Sequence, residues 1–332
     1  MTTTHTIIGV DIGATTIAAG LVTREGEVLH AVQRPTHRDG TGTALAALLT
    51  LAREMVADAR ARRLAVDGVG IGVAGVVDTG KGAMQPHPYN NLPELGHVSL
   101  SDEVRQATGL PVFVENDANA LALAEWIFGV GRGAHSLVLM AIGTSIGGGI
   151  ILGNGLFRGA NGSAGEFHGI PIDFDGRLCF CGGRGCLGAY VEGRAIVGEA
   201  RERLAGGAPS SLPAMSGGDA ARLTPELVFQ AAAAGDPLAK SIVDGVCIAL
   251  GAGIAFIVNA LNPQVIVVTG GVARSLVPLA EEIRRCARPH TLATAAVDTT
   301  QIHVIGGDKR HTVRGGAAVV VYETARVASR VI

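Results

Sequence analysis

The chain predicts an α/β fold in two domains, and three observations point there. Apolar, strand-like runs alternate with stretches of helical periodicity. A strand, a turn of glycine and threonine, and a second strand occur near residue 11 and again near residue 143, which suggests internal duplication. The 332 residues are 48% hydrophobic and only 17% charged, enough to bury a large core and more chain than one domain usually holds. Forty-eight glycines have to fit that fold. They show no collagen-like repeat with abundant proline, and the apolar fraction is too high for glycine-rich disorder.

Taken in order, Thr6 to Val10 is an apolar strand, Asp11 to Thr16 a polar turn, Ile17 to Val22 a second strand and Val28 to Val32 a third. Leu45, Leu48, Leu49, Ala52, Val56 and Ala59 recur at helical spacing, predicting an amphipathic helix over 42–62. Val69 to Val73 reads as a buried strand, followed by an irregular stretch to residue 98. Ser101 to Thr108 is a short helix closed by Gly109, and Pro111 to Val114 a strand that delivers Glu115, Asn116 and Asp117 to the next helix. The second unit opens with the strand Ser136 to Ile142. A flexible turn, Gly143 to Gly149, the strand Ile150 to Leu152 and an Asn154-Gly155 hairpin signal follow. Residues 205–224 read as a mobile surface loop, and Thr224-Pro225 and Asp236-Pro237 each open a helix. Val265 to Val268 is a buried strand ending at Gly270-Gly271, and the last helix spans about 312–329.

A net charge of -2, with lysine only at positions 81, 240 and 309, offers no electrostatic footprint for nucleic acid or an anionic membrane. The start of the chain has neither the basic residues nor the long apolar run of a signal peptide, which predicts a cytoplasmic protein. The apolar stretch Gly245 to Leu261 falls short of the ~20 residues of a membrane span and reads as a core helix. Five cysteines, three of them at 179, 181 and 186, favour a reducing compartment and a metal cluster over a disulfide framework.

Two glycine motifs mislead. Gly70, Gly72 and Gly75 match a dinucleotide fingerprint with no helix pattern after it, and Gly75 to Lys81 resembles a P-loop with Gly82 where the metal-binding hydroxyl belongs. Asp11, Gly13, Thr15 and Thr16 are more informative. A carboxylate can hold Mg²⁺ through water, and the glycine, amides and hydroxyls of such a turn can cradle phosphate, although an ordinary hairpin turn would look alike. Gly143 and Thr144 offer a second such cradle, and Gly270 and Gly271 a bare backbone on which a nucleoside can lie. Asp117, at a strand-to-helix junction, suits an N-cap and a general base kept ionised by the helix end. Cys179, Cys181 and Cys186 can wrap an ion such as Zn²⁺, with His168 as candidate fourth ligand, in a closed and therefore structural site. His168 as a surface histidine is the alternative.

Together these residues resemble the ROK family (repressors, open reading frames and sugar kinases), within the actin-like ATPase fold shared with hexokinases and heat-shock ATPases. Asp11 to Thr15 is similar to its first phosphate motif, Asn91-Leu-Pro93 to its sugar loop, Glu115 to Asp117 to its catalytic segment and Gly143 to Gly149 to its second phosphate motif. Gly165-Glu166 followed by the cysteine loop resembles its signature. The likeness implies a small α/β domain of residues 1–120 joined by 310–332, a large one of 121–309 carrying the zinc loop, and a cleft between them. It implies an ATP-dependent kinase for a small-molecule sugar, with Asp117 taking the proton of the 6-hydroxyl. Gly75, Asn91, Asn116, Asp117, Glu166 and His168 would contact the sugar. Asp11, Gly13, Thr15, Thr16, Gly143, Thr144, Gly270 and Gly271 would contact Mg-ATP. A homodimer is also implied.

Three departures concern the sugar side and the second phosphate turn. His168-Gly169 inverts the family's Gly-His, Gly188 stands where the family has a sugar-binding glutamate, and Ser145 replaces a glycine. The expected substrate is glucose or a glucose-like amino-hexose such as kanosamine, with N-acetylmannosamine or N-acetylglucosamine as alternatives. The other class of function is a catalytically weak sugar sensor, or a regulator of this family without a DNA-binding domain.

Overall fold

The structure, a computed structural model, describes residues 4–36, 43–86, 92–307 and 309–329. Asn91 lies outside them. In chain order the elements are β1 (His5–Ile12), β2 (Thr16–Thr23), β3 (Val28–Pro35), α1 (Ala44–Ala61), β4 (Ala65–Val73), β5 (Val77–Asp78), β6 (Ala83–Met84), α2 (Leu100–Thr108), β7 (Val112–Asn116) and α3 (Asp117–Ile127). There follow β8 (Ser136–Ile142), β9 (Ile146–Leu152), β10 (Gly155–Leu156), α4 (Gly188–Val191), α5 (Gly193–Ala205), α6 (Leu212–Met215), α7 (Pro225–Ala233) and α8 (Pro237–Leu261). The last are β11 (Val265–Thr269), α9 (Ala273–Leu276), α10 (Ala280–Ala287), α11 (Thr294–Thr299), β12 (Gln301–Val304) and α12 (Lys309–Ser329).

The described residues fall into two compact units. One comprises the chain up to His135, residues 149–164 and α12; the other comprises 136–148 and 165–307. The boundary expected at residue 120 would cut α3 in two. Instead α3 packs along α12 and stays whole in the first unit. Residues 149–164 join it because Arg158 pairs with Glu115 and Glu323, and the Tyr322 hydroxyl accepts from the Leu156 amide.

The first unit is built on a sheet of order β3-β2-β1-β4-β7, with β1 antiparallel to β2 and parallel to β4, and β4 parallel to β7. Both faces are covered, which is why β1 reads as one continuous apolar run. Ile8, Val10 and Ile12 meet Leu48, Leu51 and Met55 of α1 and Val104 of α2. Ile7, Ala18 and Val22, on the other face, meet Val313, Ala317 and Val320 of α12. The helix lies so close that a Cβ at Gly9 would overlap the Val313 carbonyl oxygen, and one at Gly70 that of Gly316. Gly70 is thus a packing glycine, and the dinucleotide-like motif continues into the β5–β6 hairpin without a helix.

The second unit contains most of a sheet of order β10-β9-β8-β11-β12, a connection pattern that repeats the first. In it β8, β11 and β12 run parallel. The long apolar helix α8 is long and apolar enough to cross a membrane, yet 67% of its most apolar window is buried in this unit. Leu250, Ile254 and Ile257 are fully buried.

Four local readings differ. Asp11 belongs to β1, opposite Ala18, so the turn begins at Gly13. Gly147 to Gly149 are strand: Cβ atoms at 148 and 149 would collide with the Gly165 carbonyl and with Ala122, so close packing accounts for Gly148 and Gly149. The segment 205–224 contains α6 and is anchored by the Asp236 carboxylate, which accepts from Ser210 Oγ (2.8 Å), Ser211 N (2.5 Å) and Ser211 Oγ (2.9 Å). The hairpin expected at Asn154-Gly155 turns one residue earlier: Gly153 and Asn154, with φ of 57° and 63°, are the left-handed pair that a type I′ turn requires, and Gly155 opens β10.

Asp236 also caps α8 through the Ala239 amide at 2.9 Å. Burial alone would raise its pKa, but these amides and hydroxyls outweigh it and hold the carboxyl at about 2. Its contribution is therefore complete above the ordinary carboxylate range and is lost as pH falls through about 2. Asp236→Ala is expected to cost about 2 kcal/mol near neutral pH. Urea melts of both proteins should show the difference shrinking toward about pH 3.

Candidate active site and metal centre

In the first unit, the C-terminal ends of three parallel strands bring the predicted residues together. Asp11 in β1 lies opposite Gly72 in β4, and Gly72 opposite Glu115 in β7. Ligand sites of α/β sheets lie beyond such strand ends. The Gly13–Thr15 turn is closed by the Gly13 amide donating to the Thr16 carbonyl (3.0 Å). Thr36 braces it, its amide donating to the Thr15 carbonyl (3.0 Å) and its hydroxyl to the Gly13 carbonyl (2.8 Å).

Asn116, not Asp117, is the N-cap of α3. Its Oδ1 accepts from the Ala118 and Asn119 amides, both at 3.0 Å. Its Nδ2 donates to the Gly75 carbonyl and to Asp117 Oδ1, both at 3.1 Å. Those four bonds use the full capacity of the side chain, so a sugar hydroxyl could bond to it only by displacing one of them. Asp117 is the first residue of α3, half-buried, with its Oδ1 2.9 Å from the Ala118 amide. Burial raises its pKa, against the lowering effect of that amide and of Asn116. The helix end therefore only moderates the shift that the sequence reading expected it to prevent. A carboxylate so raised is a better proton acceptor.

Glu115 and Arg158 were not singled out from the sequence for this support. Glu115, 2% exposed, accepts from the Asn116 amide (2.9 Å) and Asn119 Nδ2 (3.0 Å) on one oxygen and from Arg158 Nε (2.7 Å) on the other. The start of α3 is thus braced from below by an ion pair.

In the second unit, Gly143 follows β8. Its amide donates to the Ser145 carbonyl and its own carbonyl accepts from Gly193, both at 2.9 Å. Thr144 and Ser145 are exposed. Gly270, at the end of β11 with φ of 101°, is bare because a Cβ would overlap the Ile142 carbonyl oxygen, whereas a Cβ at Gly271 would meet open space. Glu166 is exposed, at the start of the short turn Phe167–Gly169.

His168 is buried. Its Nε2 lies 3.0 Å from Cys179 Sγ, and donor atoms of His168, Cys179 and Cys181 lie within 4.8 Å of one another. Cys181 Sγ is 3.6 Å from Cys186 Sγ. A tetrahedral zinc site has donor–donor edges of about 3.5–3.8 Å, so His168, Cys179 and Cys181 lie within reach of one ion, with Cys186 joined to them through Cys181. His168 Nδ1 lies 2.6 Å from Glu192 Oε1. A carboxylate there fixes the tautomer that presents Nε2 to a metal. Hydrogen bonds from the Gly183 amide, Cys179 and His168 draw Cys181 down to about 6, whereas burial raises Cys179 and pushes Cys186 up to about 12. With both ring nitrogens engaged, His168 is not available in this arrangement for the sugar contact expected of it.

Glu192 is the residue the sequence concealed most completely. It is 1% exposed, and its other oxygen accepts from Arg194 Nε at 2.7 Å. Burial raises its pKa, but bonds from His168, Arg194 and Ser145 leave it below the ordinary value.

Comparison with known proteins places the chain in a family. A glucokinase of Streptomyces coelicolor is 38% identical over 274 residues, 80% of this chain and 82% of its own. The crystal structure of a ROK family glucokinase from Streptomyces griseus in complex with glucose and AMPPNP superposes with a TM-score of 0.77 at 35% identity, covering 94% of this chain and 98% of that one. A ROK family transcriptional regulator, homologous to the E. coli Mlc protein, superposes with a TM-score of 0.83 at 29% identity, over 98% of this chain and 80% of its own. The sequence pattern of the ROK family itself matches residues 7–323. With its two repeated sheets, its paired glycine turns and its cysteine loop, this chain belongs to the ROK family.

Proposed function

We propose that the chain is an ATP-dependent hexose 6-kinase acting on glucose or a glucose-like amino-hexose such as kanosamine, with Asp117 as general base. At the coarser level it is a sugar kinase of the hexokinase type. The observation that carries the finer reading is the Asp117 carboxylate: half-buried and raised in pKa at the first turn of α3, beside Gly75 and Asn116. Asp117 accepts the proton of the 6-hydroxyl as that oxygen forms a bond to the γ-phosphorus of ATP and the bond to the ADP leaving oxygen breaks. General base catalysis of this kind contributes about 10² to 10⁴-fold. The rest of phosphoryl transfer depends on positioning and charge stabilisation. Asp11 would hold Mg²⁺ through water. In the first unit Thr15, Thr16 and the amides after Gly13 would receive phosphate oxygens; in the second, Gly143 and Thr144 would do so and Gly271, open above its Cα, would take the nucleoside.

An N-acetylated hexosamine is the alternative substrate. A coupled ADP-release screen across hexoses and amino-hexoses tests both. Sugar-dependent ADP release with glucose or an amino-hexose is the expected result. Release no faster than without sugar would overturn the kinase reading in favour of a sugar sensor, the reading favoured by Gly169 and Gly188 where the family carries side chains.

His168, Cys179, Cys181 and Cys186 would hold Zn²⁺ in a closed structural site, which supplies no chemistry to the reaction. Replacing Cys179 and Cys181 with Ser is expected to abolish bound zinc and to lower the melting temperature of the second unit. Metal analysis and calorimetry check this, and wild-type protein purified without zinc would refute it.

A further inference from the structure

We infer that Glu192 is a positioning residue through which the metal centre and the Gly143–Ile146 turn hold each other in place, so that metal retention and nucleotide binding are linked. The inference rests on the proposed assignment of that turn to ATP phosphates.

The three departures from the family pattern converge on this one side chain. Ser145 Oγ donates to Glu192 Oε1 at 2.8 Å, and the Ile146 amide donates to the same oxygen at 3.1 Å. His168 Nδ1 is the third group on that oxygen. A Cβ at Gly188 would overlap His168 Nδ1 and lie 2.8 Å from Glu192 Oε1. Gly188 is therefore the space that the imidazole and carboxylate occupy. A glycine at 145 would remove the hydroxyl, and any side chain at 188 would displace the ring. The serine, the shifted histidine, the glycine and the glutamate form one arrangement.

Three donors on one carboxylate oxygen, on a side chain only 1% exposed, leave little freedom at either end. Arg194 fixes the remaining oxygen, and its guanidinium lies 3.5 Å over the Phe180 ring, which in turn packs on His168. The path from Cys179 Sγ through His168 and Glu192 to the Ile146 amide thus consists of close hydrogen bonds. A metal ion that fixes the His168 ring fixes the carboxylate, and the carboxylate fixes the turn. Linkage requires the converse: a ligand that orders the turn raises the affinity for the metal.

The test titrates zinc from the protein with a competing chromogenic chelator at equilibrium, with and without a saturating non-hydrolysable ATP analogue. In the wild type the analogue is expected to raise zinc affinity at least ~5-fold. Glu192→Ala should bind zinc yet lose that gain, and should raise KM for ATP more than it lowers kcat. Glu192→Gln keeps an oxygen for Ser145 and Ile146 and should restore part of the effect. A gain of the same size in Glu192→Ala, or none in a wild type that binds the analogue, would overturn the inference. If Glu192→Ala does not fold, the exposed Ser145→Ala decides, with an unchanged gain as the refuting result. A wild type that shows the gain yet phosphorylates no sugar would strike the kinase reading and leave the linkage standing.

Discussion

Asp117→Asn is expected to lower sugar phosphorylation by about 10² to 10⁴-fold or more while nucleotide affinity stays within a factor of two. The amide oxygen of Asn can still accept from the Ala118 amide and Asn116, so the start of α3 persists. What it cannot do is accept the hydroxyl proton. The burial that raises Asp117 has two measurable signs. Activity needs the deprotonated carboxylate, so the acid limb of kcat/KM should fall at a pH above the ordinary Asp value of 3.8. A raised folded pKa also means that the stability tied to this group is present below the unfolded pKa and lost as pH rises through the folded one. Asp117→Asn should therefore be more stable than wild type at neutral pH, which thermal melts will show. Wild-type turnover in the variant would remove Asp117 from its role.

Arg158→Ala carries the second large effect, on stability. Arg158 is held between Glu115 and Glu323 at 2.7 Å from each, and Glu323 is paired further with Arg326. Removing the cation leaves Glu115 buried and unpaired, a loss of about 3–5 kcal/mol. Arg158→Lys should recover only part of it, because an ammonium cannot span two carboxylates in the planar fork of a guanidinium. The only tryptophan, Trp126, lies in α3 against Tyr322, so its fluorescence reports urea unfolding of this unit directly. Because Glu115 also holds the Asn116 amide, kcat should fall further than KM rises in the folded fraction.

The α/β class, the paired strand–turn–strand units and the capped helices were legible because their causes are local. Thr224 and Asp236 accept from amides three residues on, and Gly109 closes α2 with φ of 74°. At Asn116 and Asp117 the strand end and helix start were legible, but the cap falls on Asn116 instead of Asp117, and the Gly75 carbonyl that Asn116 reaches lies 41 residues away. Glu192 and Arg158 were illegible for the opposite reason. In sequence each is an ordinary charged residue, and each is placed by partners from segments far away: Ser145, 47 residues before the buried Glu192, and Glu323, 165 after the half-buried Arg158. Even the departures at Ser145, His168 and Gly188 looked independent until their shared neighbour was in place. The glycines divide likewise. Gly148, Gly149 and Gly270 appeared ready for a ligand, but the neighbouring backbone and side chains account for their missing Cβ atoms.

The seating of α12 on Gly9 and Gly70 has a consequence for synthesis. The strands whose bare backbone receives it end by Asn116, whereas α12 begins at Lys309. At about 5–20 residues per second, the ribosome needs roughly 10–40 s to make the intervening chain. During that interval Ile7, Ala18 and Val22 have no helix to cover them. The nascent first half thus carries an uncovered apolar face, and the second unit, whose residues all emerge before α12, can fold before the first is finished.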